Sequence, residues 1–330
     1  MWIVPYVVGT VLLAMPAISD SKQDVANSLV KRATDSSTPK AAMKGAYRIE
    51  YKLTFYGAPG GPIEGKYVRS WVSKNQWRRE ISIPGYAETS VSDGPSTWIT
   101  RKPHLYEPRF VGELISDLES LPDPEIGLDR TVTKIRDENR AGTHQQCIET
   151  SNPQVPLARG QRTLCFNNSN GALAGIAQGG ARTEVSEFED KGGVSIAQKI
   201  LHFHGKSLAS EADLTSLDPQ SGQAQSFPHD ADARQFPNCN GDLMSGMLIS
   251  KVTPNYPPAA RSAKRTGKVE IYAVIDIDGS IHDMEIMQSV SQDLDDAAVA
   301  AVRQWRYRPY ICGGVPLRVE TEVDIAFDIP

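Results

Sequence analysis

The chain has 330 residues, 40% of them hydrophobic and 23% charged, with a formal net charge of −5. This is a globular composition with room for two ordinary domains. It lacks the basic surplus expected of a nucleic-acid partner, and residues 246–330 are themselves acidic, with nine Lys/Arg against twelve Asp/Glu.

Residues 1–19 are apolar from Trp2 to Ile18, carry no charge, and end in the small-x-small pattern Ala17-Ile18-Ser19. A secretory signal peptide is expected, with an uncleaved inner-membrane anchor as its rival. No Cys follows the apolar run, against a lipoprotein anchor. Residues 20–44 are polar and rich in Ser, Lys and Asp, and read as a tether. Residues 45–227 form a β-rich domain. Alternating stretches predict strands at Tyr47–Phe55, Tyr67–Val72, Gln76–Ile83, Thr97–Arg101, Thr131–Ile135, Gln146–Glu149, Arg162–Phe166, Leu173–Gln178, Thr183–Phe188 and Ile196–His204. One helix is predicted from Phe110 to Leu121, where Val111, Leu114, Ile115, Leu118 and Leu121 make an apolar stripe before Pro122. From Gly205 to Gly246 the composition shifts to Ser, Asp, Gln, Pro and Gly. Ala212–Phe227 could add a last strand, and residues 228–245 read as an interdomain linker.

Residues 246–330 read as a second small domain. Pro257-Pro258 primes a short helix. Val269, Ile271, Ala273 and Ile275 then alternate with Glu270, Tyr272, Val274 and Asp276, and Asp278-Gly279 supplies a hairpin turn. A return strand follows at Ile281–Gln288. Asp293, Asp295 and Asp296 open a helix where its macrodipole favours acidic residues. Leu294, Ala298, Ala301, Val302 and Trp305 form its apolar stripe, with Arg303 and Arg306 in its last turn. The final strand carries Leu317, Val319, Thr321, Val323 and Ile325 on one face and Arg318, Glu320, Glu322 and Asp324 on the other. The fold class is therefore α+β: an antiparallel half-barrel-like β domain with one main helix, then a two-helix, three-stranded antiparallel domain covered on one side.

Tyr256-Pro257-Pro258-Ala259-Ala260-Arg261, Gly267-Lys268-Val269, Asp278-Gly279-Ser280, Leu294-Asp295-Asp296-Ala297-Ala298-Val299 and Trp305-Arg306-Tyr307-Arg308-Pro309 stand in the order and spacing of the TonB family's C-terminal domain, which residues 246–330 resemble. The β-rich domain looks like LolA/LolB-type carriers in architecture and strand order, without a specific motif. The linker is shorter and less Pro-rich than the periplasm-spanning arm of a typical TonB.

Four cysteines fit an oxidising compartment, and bridges Cys147–Cys165 and Cys239–Cys312 are expected, since short C-x₂-C metal spacings are absent. No nucleophile elbow, phosphate loop, zinc-protease helix or dinucleotide fingerprint occurs, so an enzyme is not expected and no cofactor is implied. His202 and His204 lie two apart on one strand face and could hold a metal with a third ligand. Partly exposed strand positions are the preferred reading, with no metal. Trp71, Trp77 and Trp98 interleave with Arg69, Arg78 and Arg79, which reads as packing rather than a ligand lining.

The resemblance implies a periplasmic protein in outer-membrane transport. Its partner would be an outer-membrane receptor or transporter segment that pairs with an edge strand, β-augmentation in physical terms. The candidate edge is Leu317, Arg318, Val319, Glu320, Thr321, Glu322, Val323 and Asp324, whose charged row would favour basic residues at alternate partner positions or simply guard the edge. An anchored transducer would also meet an inner-membrane motor complex. The alternative is a soluble periplasmic binding protein with a lipid or other apolar ligand in the N-terminal domain, docked to an envelope partner by its tail.

Overall fold

The computed structural model describes residues 21–57, 61–120, 130–140, 142–152, 161–220, 227–239, 243–244 and 246–328. The expected leader at 1–19 and Leu121 lie outside them. Among the described residues no helix is long and apolar enough to cross a bilayer.

Thirteen antiparallel strands make one large sheet: β1 (Tyr47–Phe55), β2 (Ile63–Ser73), β3 (Gln76–Ile83), β4 (Tyr86–Asp93), β5 (Ser96–Lys102), β6 (Thr131–Arg140), β7 (Thr143–Ser151), β8 (Gln161–Asn167), β9 (Leu173–Gln178), β10 (Ala181–Asp190), β11 (Ser195–His204), β12 (Ser207–Pro219) and β13 (Arg234–Pro237). Their spatial order is β13-β5-β4-β3-β2-β1-β12-β11-β10-β9-β8-β7-β6, an open sheet made of two meanders joined where β1 pairs with β12. β12 thus sits mid-sheet, paired on both sides, although its sequence lies in the compositional shift after Gly205. Of its buried positions Ser210, Ala212 and Leu217, the first two are small and give little hydrophobic signal, and a register shift against β1 separates them from Leu217.

Residues 21–44, which fall in the expected tether, are helical instead. They form α1 (Lys22–Ser37) and α2 (Pro39–Met43), and α1 opens with a Ser21/Asp24 capping box. Ala26, Leu29 and Ala33 follow helical spacing and are buried against Ile148, Leu164, Phe166 and Leu173. The polar composition hides this stripe, because two of its three members are alanine. α3 (Arg109–Ser120) lies on the sheet with Val111, Leu114, Ile115 and Leu118 buried among Tyr47, Leu53, Tyr67 and Ile81. Complete burial of a side chain such as Leu114 stabilises by roughly 1.5–3 kcal/mol, so this stripe holds the helix in place.

The tail contains β14 (Leu243–Met244), β15 (Met247–Ser250), α4 (Pro258–Ser262), β16 (Gly267–Ile275), β17 (Ile281–Gln288), α5 (Gln292–Val302), β18 (Arg306–Arg308), β19 (Tyr310–Cys312), β20 (Val315–Leu317) and β21 (Val319–Phe327). Its main sheet has the order β17-β16-β21. α5 stops at Val302 rather than running through Trp305, because the chain is captured by the hairpin: the Tyr307 N–H donates to the Gly279 carbonyl at 2.9 Å. A Cβ on Gly279 would stand 1.8 Å from the Tyr307 carbonyl oxygen, and its φ is +80°, so the position requires glycine. The Asp278-Gly279-Ser280 and Trp305-Arg306-Tyr307 segments are therefore two halves of one contact. Trp305 remains buried and its indole N–H donates to the Val252 carbonyl at 2.9 Å.

Both disulfides are present, Cys147–Cys165 between β7 and β8 and Cys239–Cys312 between the segment after β13 and β19. The segment expected as a linker is thus held at both ends. β13 extends the large sheet by pairing with β5, and the bridge fastens the next residues to the tail.

Candidate partner-binding site

β21 follows the predicted final strand, with its boundary two residues later: Leu317 belongs to β20 and Arg318 lies between the two strands. All nine residues of β21 pair with β16 in one unbroken register, from Val319 opposite Ile275 to Phe327 opposite Gly267. Val323, Ile325 and Phe327 face the tail's helices and are buried with Leu294, Ala298, Val302 and Trp305. Among the described residues, the other side of β21 pairs with no strand. β17 is the opposite edge of this sheet, and two register shifts interrupt its pairing with β16. Bulges twist an edge away from further pairing, so the regular edge of β21 is the better template for an added strand.

The second face of the sheet is also covered, by the N-terminal domain, which corrects the expectation of a one-sided sheet. Tyr272 and Val274 from β16 are buried with Phe236, and Ile99, Leu105, Tyr106 and Met287 pack around them. These two apolar residues occupy the phase of β16 that alternation assigns to solvent. Arg234 donates to the Tyr272 hydroxyl at 2.7 Å, and that hydroxyl donates to Glu320 at 2.6 Å. Burial, with Glu320 beside it, pushes the Tyr272 phenol well above the ordinary tyrosine range.

The charged row of the predicted edge is spent inside the chain. Glu320 accepts from Arg101 at 2.6 Å, Glu322 pairs with Arg109 at 2.7 Å, Asp324 with Lys268 at 3.1 Å, and Arg318 with Asp276 at 2.9 Å. Arg318 holds the Asp276 carboxyl below its usual range. The row is therefore no free acidic stripe for selecting a basic partner, since Arg101 and Arg109 of the N-terminal domain neutralise two of its three carboxylates. These long-range pairs have no signature in local sequence spacing.

Behind Arg101 lies a buried charge cluster. The Glu88 carboxylate is inaccessible, and Arg79, Arg101 (2.7 Å), Tyr86 (2.8 Å) and Ser90 (2.7 Å) all donate to it. Burial alone would raise its pKa, but the two guanidinium groups hold it well below the carboxylate range. Glu107 lies at the rim of the cluster. Burial, with Glu88 beside it, pushes Glu107 up to about 7 despite Arg79 and Arg101. On the other side of the seam Glu285 accepts from His104 at 2.6 Å and from the Leu105 N–H at 2.7 Å. Arg101 thus links a buried N-terminal carboxylate to the tail's last strand.

Residues 252–329 match the family model of the Gram-negative bacterial TonB protein C-terminal. The tail is a TonB-like domain. Over 84 residues the chain is 30% identical to Protein TonB of Vibrio cholerae serotype O1, a stretch that is 25% of this chain and 34% of that protein. The chain thus spans about a third of the length of that curated relative. The solution structure of the Pseudomonas aeruginosa TonB C-terminal domain is 28% identical, with 26% of this chain and 86% of that one covered and a TM-score of 0.23. A crystal structure of a LolA superfamily protein from Nitrosomonas europaea covers 59% of this chain and 94% of its own at 13% identity, with a TM-score of 0.41. The resemblance of the last quarter of the sequence to TonB accordingly holds, and the TonB-like tail is the part on which a functional reading rests.

Within it, the acidic residues at the start of α5 are structural. Asp295 is buried and accepts from Ser289 at 2.5 Å and from the Val290 N–H at 3.2 Å, while Asp293 accepts from Ser291 and pairs with Arg265 at 3.1 Å. Asp278 accepts from the Ser280 N–H at 2.8 Å and closes the hairpin turn.

Proposed function

We propose that this is a periplasmic TonB-type binding protein of the cell envelope that takes part in outer-membrane transport and captures an extended partner segment along β21. The observation that carries this reading is the nine-residue, bulge-free pairing of β21, on one side only among the described residues, within a domain matched to the TonB C-terminal. Backbone N–H and C=O groups on such an edge supply affinity without demanding a particular partner sequence. The partner would be a periplasmic segment of an outer-membrane receptor or transporter. Coupling to an inner-membrane motor complex belongs to the same reading if the N-terminus stays anchored. Two disulfides fit an oxidising compartment. We read the chain as a binder, not an enzyme.

The carrier reading finds less support. The apolar pocket lined by Pro39, Tyr51, Leu173, Val185, Phe188 and Ile200 encloses about 30 Å³. Small-molecule sites run to roughly 300 Å³ and above, so an acyl chain would need α1 and α2 to move away.

The test uses the full chain with a photo-crosslinking side chain at Ala326, exposed on β21, or at Ala300, exposed on α5. Expected is an adduct from Ala326 alone, mapped by mass spectrometry to an extended periplasmic segment of an outer-membrane protein. Equal adducts from both positions, or none from Ala326, would refute strand capture.

A further inference from the structure

His202 and His204 point from one face of β11 toward α3, and α3 brings Glu113 to them. Glu113 Oε2 lies 2.8 Å from His204 Nε2 and 3.8 Å from His202 Nε2, and the three ligand atoms all fall within 4.8 Å of one another. The imidazoles meet edge to face, with centroids 5.2 Å apart and planes at 81°. Two imidazole nitrogens and a carboxylate oxygen are the donor set of a borderline divalent metal such as zinc.

A separate observation points to a missing ligand. His202 is only 5% exposed, and its Nε2 is buried without a hydrogen-bond partner among the described residues. Its other nitrogen is fully committed. Nδ1 lies 2.6 Å from Asp117 Oδ2, which also accepts from the Thr183 hydroxyl. An ionised carboxylate only accepts, so Nδ1 carries the proton and Nε2 is directed at Glu113 and His204. Ligating histidines are held in this way, with a carboxylate behind the ring fixing tautomer and orientation. A buried imidazole nitrogen with nothing to bond costs stability, and a cation between the three groups would remove that cost.

The surroundings leave room for a ligand exchange position. The cleft beside the cluster, lined by Glu107, Arg109, Glu113, Asp117, His202 and Glu322, has a volume of about 520 Å³. Glu113 and His204 are partly exposed, with side-chain accessibilities of 41% and 53%, so a hydrated ion can reach them.

We infer that Glu113, His202 and His204 form a divalent transition-metal site that cross-links α3 to β11, with Asp117 as the residue that positions His202. Three protein ligands leave one coordination position for water or a group from the cleft. Because α3 also carries Arg109, which pairs with Glu322 of the tail, the ion would stiffen the element that links sheet and tail.

The experiment titrates zinc, and cobalt as a spectroscopic probe, into the chelator-treated full chain. One equivalent should bind and raise the melting temperature. Asp117→Asn should weaken binding roughly 10–100-fold, the range for removing a carboxylate behind a ligating histidine. His202→Gln should weaken it at least as much, and His144→Gln, outside the cluster, should leave it unchanged. Glu113→Gln, at a partly exposed position of α3, keeps an acceptor for His204 and tests the site without disturbing the core; the zinc-dependent rise in melting temperature should disappear. Absence of saturable binding up to millimolar zinc would overturn the assignment. So would a bound equivalent whose affinity is the same in Glu113→Gln and His202→Gln as in the parent.

Discussion

Replacing Arg101 with Met tests the charge cluster behind the domain seam. Arg101 donates to Glu88 at 2.7 Å, to Glu320 at 2.6 Å and to the Leu105 carbonyl at 3.0 Å. The two carboxylates respond differently to its loss. Glu320 is 30% exposed and can be rehydrated, so its side of the pair contributes little. Glu88 is inaccessible and would keep only Arg79, Tyr86 and Ser90 as donors. Removing one partner of a buried ion pair costs about 3–5 kcal/mol, and the remaining donors place Arg101→Met near the lower end, about 3 kcal/mol. For a domain of this size that lowers the melting temperature by roughly 6–12 °C. The loss should be pH-dependent. Glu88 has a depressed folded pKa, so its ion pairs contribute stability above the ordinary value of 4.5, and this is lost as pH falls through the folded pKa. The difference between Arg101→Met and the parent, followed by urea unfolding of the full chain, should shrink below that value. Adding Glu88→Gln to Arg101→Met removes the stranded charge and should restore part of the stability. A single variant costing under about 1 kcal/mol, or a double variant no better than the single, would refute the stranded-carboxylate argument.

Glu107→Gln should act in the opposite direction. With its carboxyl pushed up to about 7, the folded state binds the proton more tightly than the unfolded state does. Stability from this group is therefore lost as pH rises from about 4.5 to about 7, and the ionised form costs about 3 kcal/mol above that window. Glu107→Gln should stabilise at about pH 8 and be close to neutral at about pH 4, and an equal gain at both would contradict the shift. Cys239→Ser with Cys312→Ser opens a loop of 73 residues, worth about 4 kcal/mol in loop-closure entropy. The double variant should melt lower, and protease cuts after Cys239 should release the tail as a separate fragment without reductant. A melting curve identical to the parent's would show that the bridge does not clamp the domains.

The tail was readable because its signals are local. Asp278-Gly279 marks a turn that glycine alone can make, Val269, Ile271, Ala273 and Ile275 keep strand period, and Leu294, Ala298, Ala301 and Val302 keep helical period; these eight apolar positions are buried as expected. α1 was not readable, because Ala26 and Ala33 bury area without registering as hydrophobic against a polar background. β12 is readable only in its second half, where it overlaps the last strand expected within Ala212–Phe227: Ser210 and Ala212 are small, and a register shift against β1 breaks the alternation between Leu214 and the buried Leu217. The seam could have been suspected from Tyr272 and Val274, apolar residues on the supposedly wet phase of β16. The pairing of Arg101 with Glu320, however, joins residues 219 apart, and no window in the sequence connects them. Glu113 was missed beside His202 and His204 for this reason too: the two histidines share a strand, but their carboxylate arrives on a helix 89 residues earlier than His202.

The clamp changes what the TonB-like tail can do on the proposed reading. β13 is built into the large sheet, Cys239 is bonded to Cys312, and Arg101 and Arg109 grip β21 from the N-terminal domain. Reach cannot come from the connection between the domains, since a few residues between β13 and β14 span at most about 3.5 Å each. α1 is docked on β6 to β9 and offers no arm either. What the clamp provides instead is a fixed edge. Side chains on the seam side of β21 are already paired, so a captured segment would find its template ordered before it arrives, and the entropy of fixing a strand would fall on the partner alone. Such an acceptor suits a partner segment that is flexible when free and long enough to come to the edge. Cutting the bridge should then weaken capture by loosening the template, even though neither cysteine touches the partner.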